Sequence, residues 1–116
     1  MYFKNEQHKS DTYQIIQNFG KEFGKDAYYD SFSYLMALSG KSRFVLKHSG
    51  TFGIDSKAIK EGMQVFSSSE KGMIALAMQL FNSGMSDVTI HDVLSPLSKE
   101  NAKAVLTALE IRYGLR

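Results

Sequence analysis

The sequence predicts an all-α protein, a compact and irregular bundle of five to six short helices in one domain, residues 1–116. Apolar residues recur at spacings of three and four, which is the repeat of a helix buried on one side. Long alternating runs of Val, Ile and Thr, the usual sign of strands, do not occur. The chain has one proline and nine glycines, and many glycines stand where helices would end. With 43% hydrophobic residues it can bury one core.

Three helices are predicted in the first half of the chain. Asn5 is a good N-cap for the first helix. The apolar face of this helix consists of Tyr13, Ile15, Ile16, Phe19 and Phe23. The second helix fits residues 26–39, and Gly40 stands where a left-handed C-cap belongs. Ser42 begins a short third helix that ends near Gly50.

The next stretch predicts a loop and a fourth helix. Residues 49–55 are rich in glycine and small polar residues, which is typical of a loop. Asp55 or Ser56 can cap the fourth helix, which is predicted to run to about Phe66.

The fifth helix has the most apolar sequence. Ser67 and Glu70 have the spacing of a capping box. Between residues 73 and 81 only Gln79 is not apolar, and a helix that is apolar on nearly all sides is a buried one. We therefore predict that the helix at about residues 70–83 is the buried centre of the bundle.

A short segment and a last helix follow the fifth helix. Thr89 can cap the short segment, which Pro96 closes, and Ser98 can cap the last helix, which Gly114 ends. The predicted buried stripe of the last helix is Ala102, Val105, Leu106, Leu109 and Tyr113. Its predicted solvent side carries Lys99, Glu100, Lys103 and Glu110.

Composition and charge exclude several classes of protein. The chain has no cysteine, which excludes disulfides, cysteine-ligated zinc, iron–sulfur clusters and a thiol nucleophile. The net charge of +2 is small for a dedicated nucleic-acid-binding protein. No apolar run is long enough to span a membrane, and none near the first residue resembles a signal peptide. We therefore expect a cytoplasmic protein without membrane attachment.

No group of residues has the spacing of a catalytic, metal or cofactor site. His8 and Asp11 lie one helical turn apart, but a stable metal site needs three or four ligands. His91, Asp92 and Ser95 are the residue types of a catalytic triad. Adjacent His and Asp side chains diverge, however, and no nucleophile-elbow glycines surround the serine. We therefore expect no enzyme activity, no metal and no cofactor.

The segment 41–60 carries an excess of positive charge. It holds one acidic residue, Asp55, against five cations: Lys41, Arg43, Lys47, Lys57 and Lys60. Contact with phosphates or with an acidic partner is the functional interpretation, and a solvated face beside a loop is the structural one. The loop between the third and fourth predicted helices is longer than the turn of a helix-turn-helix motif. Nucleic-acid binding through these five residues is the alternative functional hypothesis.

Tyrosines cluster in the second helix. Tyr28, Tyr29 and Tyr34 cannot all share one helical face with Phe32, so at least one is expected at the surface. Tyrosine is enriched at interfaces because it gives contact area at low entropy cost. These three tyrosines are the candidate protein-interface residues, and core packing is the other interpretation. A homodimer is expected if they form an exposed apolar patch.

Several segments along the chain resemble one family. They are residues 3–8 and 108–113, Asp26 and Tyr28 with Leu35, and residues 80–84. Together they resemble an uncharacterised family of small proteins carried by phages and prophages of Gram-positive bacteria. The resemblance implies a mobile-element accessory protein in the host cytoplasm that binds and inhibits a host or anti-phage defence protein, such as a CRISPR effector. It assigns no site residue.

Overall fold

Helices make up most of the chain. The computed structural model describes residues 1–115. Its elements in chain order are α1 (Glu6–Asn18), α2 (Ala27–Leu38), α3 (Ser42–Lys47), β1 (Ser49–Gly50), β2 (Gly53–Ile54), α4 (Ser56–Gly62), a 3₁₀ turn (Met63–Val65), α5 (Ser68–Phe81), a second 3₁₀ turn (Ser83–Met85), α6 (Ile90–Leu94) and α7 (Lys99–Tyr113). The predicted all-α class is confirmed. None of the helices in this described part is long and apolar enough to cross a membrane.

Most helices begin at a side chain that caps them. The Asn5 side-chain oxygen accepts the His8 N–H at 2.8 Å. Ser67 and Glu70 form the predicted capping box, in which each side chain accepts the backbone N–H of the other residue. The remaining side-chain caps are Asp26, Asp55, Thr89 and Ser98. Each cap satisfies an N–H group that has no partner within its helix.

The centre of the molecule is α2. This helix packs against α1, α5 and α7, and residues 30–38 are all buried. The predicted centre, at about residues 70–83, corresponds to α5. That helix is largely buried but lies along one side of α2, and its residues Ala75 and Gln79 stay half-exposed. The structure therefore moves the centre of the bundle from the fifth helix to the second.

Serines make the burial of α2 difficult to predict from the sequence. Ser31 interrupts its apolar run and Ser39 follows its last residue, but both hydroxyls donate to backbone carbonyls inside the protein. Ser31 Oγ donates to Ala27 O at 2.8 Å, and Ser39 Oγ donates to Met36 O at 2.6 Å. A hydroxyl with such a partner can be buried at little cost. These two serines are therefore compatible with a central position of the second helix.

A small hairpin replaces the loop predicted for residues 49–55. β1 and β2 pair antiparallel, with Ser49 opposite Ile54. Gly53 has a φ of 109°, a backbone conformation that favours glycine. The Asn18 amide at the end of α1 donates to the Ser49 carbonyl at 2.6 Å. The hairpin thus docks on α1 between α3 and α4.

The last helix has apolar residues on two faces. Its buried residues are Ala104, Val105, Thr107, Ala108 and Ile111. Of the predicted stripe only Val105 is buried, whereas Leu106 is 53% exposed and Tyr113 is 59% exposed. The predicted stripe is wrong because a face of small residues, Ala104 and Ala108, packs inward instead.

Candidate functional site

A groove of about 950 Å³ opens between α4, α5 and the segment that leads into α6. We call it the methionine groove because Met63, Met78 and Met85 line it. Methionine side chains are flexible and polarisable, so they adapt to differently shaped apolar partners.

One face of α5 forms a side of the methionine groove. Ser68, Lys71, Gly72 and Ala75 line the groove and recur at helical spacings of three and four. The opposite side of this helix packs against α2. The fifth helix therefore joins the groove to the core of the molecule.

Gln79 holds the opposite side of the groove in place. Its side-chain Nε2 donates to the Ser86 carbonyl at 3.0 Å and to the Val88 carbonyl at 3.1 Å. The segment between α5 and α6 would otherwise have few fixed contacts for these carbonyls. The lone polar residue of the apolar run thus fixes the shape of the methionine groove.

Gly72 allows α6 to approach α5 closely. A Cβ atom added at Gly72 would lie 3.4 Å from Val93 Cα. The side chain of Val93 is fully buried, which anchors the short helix α6 against α5. Residues larger than alanine at position 72 would push α6 outwards and change the groove.

Charged side chains of both signs stand along the methionine groove. Lys60 and Lys71 belong to the α4 and α5 side, and Asp87 and Asp92 belong to the α6 side. Lys60, Asp87 and Asp92 are exposed, and Lys71 is half-buried. The groove therefore combines three methionines with a lining that is more polar than apolar, with cations on one side and carboxylates on the other.

Among the predicted interface tyrosines, Tyr28 is exposed. The Arg112 guanidinium carbon lies 3.9 Å from the centre of the Tyr28 ring and 4.9 Å from that of the Tyr113 ring. Arg112 Nε also donates to the Leu80 carbonyl at 2.7 Å. Arg112 is therefore fixed by α5 and orders two exposed tyrosine rings beside it.

The other two predicted interface tyrosines belong to the interior. Tyr29 is half-buried, with its ring edge-on to Phe19 and Phe81. Tyr34 is 0% exposed, and its hydroxyl donates to the Tyr2 carbonyl at 2.5 Å. The prediction that Tyr34 lies at an exposed interface is wrong for this chain, because α2 is the central helix.

The five predicted basic residues are distributed over separate places. Lys60 lines the methionine groove, whereas Lys41 and Arg43 line a second groove of about 640 Å³. Lys47 and Lys57 are exposed and line neither groove.

The second groove mixes both charges. Gln7 and Asp11 of α1 line it together with Lys41 and Arg43, and the Gln7 amide donates to the Asp11 carboxylate at 2.8 Å. Lys41 Nζ also lies 3.5 Å from a carboxylate oxygen of Glu70. The cations of this groove therefore stand beside carboxylates, which lowers its attraction for phosphates.

His8 is a buried structural residue. Its Nε2 hydrogen bonds to the Tyr34 carbonyl at 2.9 Å, and its Nδ1 accepts the Lys4 N–H at 3.1 Å. These partners require the proton on Nε2. Burial has the largest effect on the pKa of His8 and lowers it. The hydrogen bond with the Tyr34 carbonyl and the charge of Asp11 act in the opposite direction, whereas the charge of Lys4 lowers the pKa further. The imidazole therefore stays neutral near pH 7.

The residue types of a catalytic triad do not form a relay. Ser95 Oγ lies 3.4 Å from His91 Nε2, but this hydroxyl donates to the His91 carbonyl at 2.7 Å. Asp92 lines the methionine groove instead. Within residues 1–115, no three His, Asp or Glu side chains gather as metal ligands.

Three candidate positions, Met63, Met85 and Arg112, were not identified from the sequence. Met63 and Met85 are half-exposed at the groove. Arg112 lies over the Tyr28 ring. Gln79 was the available signal, since a single amide in an apolar run needs a partner that the helix does not supply.

The comparisons with known proteins identify one family. A model described as a family of unknown function (DUF6075) matches residues 1–116. The comparison with curated proteins and the comparison with solved structures each gave no match. Because the family model covers the whole chain, the protein belongs to the DUF6075 family.

Proposed function

We propose that the protein acts by stoichiometric binding to another protein, without chemical turnover, and that the methionine groove is the docking site. The partner supplies an apolar segment that enters the groove. Acidic residues of that segment face Lys60 and Lys71, and basic residues face Asp87 and Asp92.

The form of the groove carries this proposal. Its volume of about 950 Å³ suits a side-chain cluster of a partner helix or loop. Met63 and Met85 are half-exposed, so they offer apolar surface that a partner can cover. Gln79 and Gly72 hold the two sides in position, which reduces the entropy lost when a partner binds.

The class of target follows from the resemblance stated above. Small accessory proteins of phages and prophages commonly act by blocking a host or anti-phage defence protein, and a CRISPR effector is one such target. We propose a target of this class in the bacterial cytoplasm. The resemblance supports it at the level of class, and binding through the groove gives it a physical mechanism.

Co-purification from a host cell tests the proposal. The tagged protein is expressed in a Gram-positive host under phage challenge and recovered at moderate salt, with and without nuclease. We expect one protein at near one-to-one ratio after nuclease treatment. Ala75→Arg places a long charged side chain in the groove and should abolish this recovery, whereas Gln17→Arg on the exposed side of α1 should preserve it.

The nucleic-acid hypothesis predicts a different result. Nucleic acid would be recovered, the protein partners would be lost after nuclease, and affinity would fall steeply with salt. Lys41→Glu and Arg43→Glu would then weaken binding, while Ala75→Arg would not. That combination would contradict docking at the methionine groove.

A further inference from the structure

The outward face of α7 carries apolar side chains that are largely exposed. Leu106 is 53% exposed and Tyr113 is 59% exposed, and Leu109 lies half-buried between them. These three residues recur at spacings of three and four, so they form one stripe along the helix. We call this stripe the α7 face.

Charges flank the α7 face in a self-complementary order. Lys103 and Glu110 are exposed, seven residues apart on the same side of the helix, with Leu106 between them. Lys103 Nζ lies over the Tyr2 ring at 4.7 Å, a contact that leaves ammonium N–H groups available to an acceptor. Glu110 forms no ion pair with the residues described by the structure.

From this order we propose that the occupant of the α7 face is a second copy of the chain, and that the two α7 helices pair antiparallel. A twofold axis near Leu106 brings residues at similar distances before and after it into contact. Lys103 of one copy then faces Glu110 of the partner, and the same pair forms again across the axis. The two copies of Leu106 meet at the centre.

Tyrosines extend this contact at the ends of the helix pair. Tyr113 of one copy comes close to Lys99 of the partner, where a cation can lie over the ring. Tyr28 stands at the edge of the same surface, because Arg112 stacks between its ring and that of Tyr113. Tyr and Arg are residue types that dominate binding energy at interfaces.

The length of α7 determines how tightly we expect the two copies to associate. A helix of 15 residues is about 22 Å long, so a pair of such helices buries less than a standard interface. The dimer should therefore be concentration-dependent and in exchange with the monomer. Sedimentation velocity from low to high micromolar concentration measures this equilibrium. A single monomeric species over the whole range would overturn the proposal.

Charge reversal distinguishes this dimer from any other. Lys103→Glu alone places Glu opposite Glu, and Glu110→Lys alone places Lys opposite Lys, so each variant should associate more weakly than the natural chain. Mixing the two variants restores both ion pairs in a heterodimer, and association should recover. Lys57→Glu on α4 is the matched control and should leave the dimer unchanged. Failure of the mixture to recover would rule out the antiparallel pairing.

An apolar substitution tests the centre of the same contact. Leu106→Asp should weaken self-association by more than about tenfold. The side chain is exposed, so the circular dichroism spectrum and unfolding midpoint should be nearly unchanged. A folded Leu106→Asp variant that still dimerises would place the interface elsewhere. This outcome is independent of the methionine groove, which α7 does not line.

Discussion

At the scale of single residues, Gly62 explains where the fourth helix ends. A Cβ atom added there would lie 2.5 Å from Phe44 Cε1, so the Phe44 ring occupies the space of a side chain. The ring also packs edge-on against Phe66 and His48. The sequence predicted a helix to Phe66, but the chain changes to a 3₁₀ turn after Gly62, a residue of low helix propensity.

Gly62→Ala should destabilise the protein. The gain in helix propensity of up to about 1 kcal/mol is smaller than an overpacking cost of about 1–3 kcal/mol. Chemical denaturation measures the difference. In a Phe44→Leu background the ring edge is gone, and the same change should become neutral or stabilising. Equal effects in both backgrounds would show that the Phe44 ring does not restrict position 62.

The buried imidazole of His8 makes stability depend on pH. Burial lowers the pKa of His8 below its ordinary value of 6.5, so the unfolded chain binds the proton more readily than the folded chain. The contribution of neutral His8 to the free energy of unfolding is fully present above pH 6.5 and decreases as the pH falls from 6.5 towards the lowered pKa of His8. Urea denaturation at several pH values measures this slope.

Two histidine variants separate this effect from other titrations. His8→Gln removes the titrating group and should flatten the slope between pH 6.5 and the lowered pKa of His8. His91→Gln changes an exposed residue and should keep the slope of the natural chain. A slope that persists in His8→Gln would assign the pH dependence to other groups.

At the scale of elements, the starts of helices could be predicted and their packing faces only in part. Asn5, Ser67 and Ser98 cap helices in the structure because a cap depends on local sequence alone. The helical spacing of apolar residues could not show which face of α7 is buried, since apolar residues recur on two of its faces. Which face turns inward depends on α2, which is distant in sequence.

Gln79 is the element-scale link between α5 and the groove. Gln79→Leu keeps the volume but removes two hydrogen bonds to the Ser86 and Val88 carbonyls. We expect a loss of about 1–3 kcal/mol in unfolding free energy. Hydrogen exchange should become faster mainly in residues 83–88.

The control for this change is Gln64→Leu. The Gln64 amide is exposed and donates to the Lys60 carbonyl within its own segment. That variant should change the unfolding free energy by no more than about 0.5 kcal/mol. Hydrogen exchange of residues 83–88 should also stay unchanged. Similar exchange in both variants would mean that Gln79 does not hold the groove.

At the scale of the whole molecule, the first residues close the core around α2. Tyr34 donates its hydroxyl to the Tyr2 carbonyl, the Phe3 ring packs on Tyr34 and His8, and the Lys4 N–H donates to His8. The sequence alone could not show that α2 lies beneath Tyr2 and Phe3. A contact between distant segments has no local signature in the sequence.

Removal of residues 1–4 should therefore affect the whole fold. The loss exposes the His8 and Tyr34 rings and removes the Tyr2 carbonyl to which the Tyr34 hydroxyl donates, so we expect a cost of at least about 2 kcal/mol. Thermal unfolding followed by circular dichroism measures it. Removal of Met1 alone, which is 52% exposed, is the control and should cost little. An unchanged midpoint after removal of all four residues would contradict this assignment.

The methionine groove has a consequence for oxidative chemistry. All sulfur atoms of the chain are in its six methionines, because it has no cysteine. Peroxide converts an accessible thioether to a polar sulfoxide. Met63 and Met85 at the groove should react early, whereas Met36, Met73 and Met78 are at most 2% exposed and should be protected. Peptide mass spectrometry after brief peroxide treatment measures this order of oxidation. Under oxidising conditions, binding of an apolar partner in the groove would therefore weaken before the fold is affected.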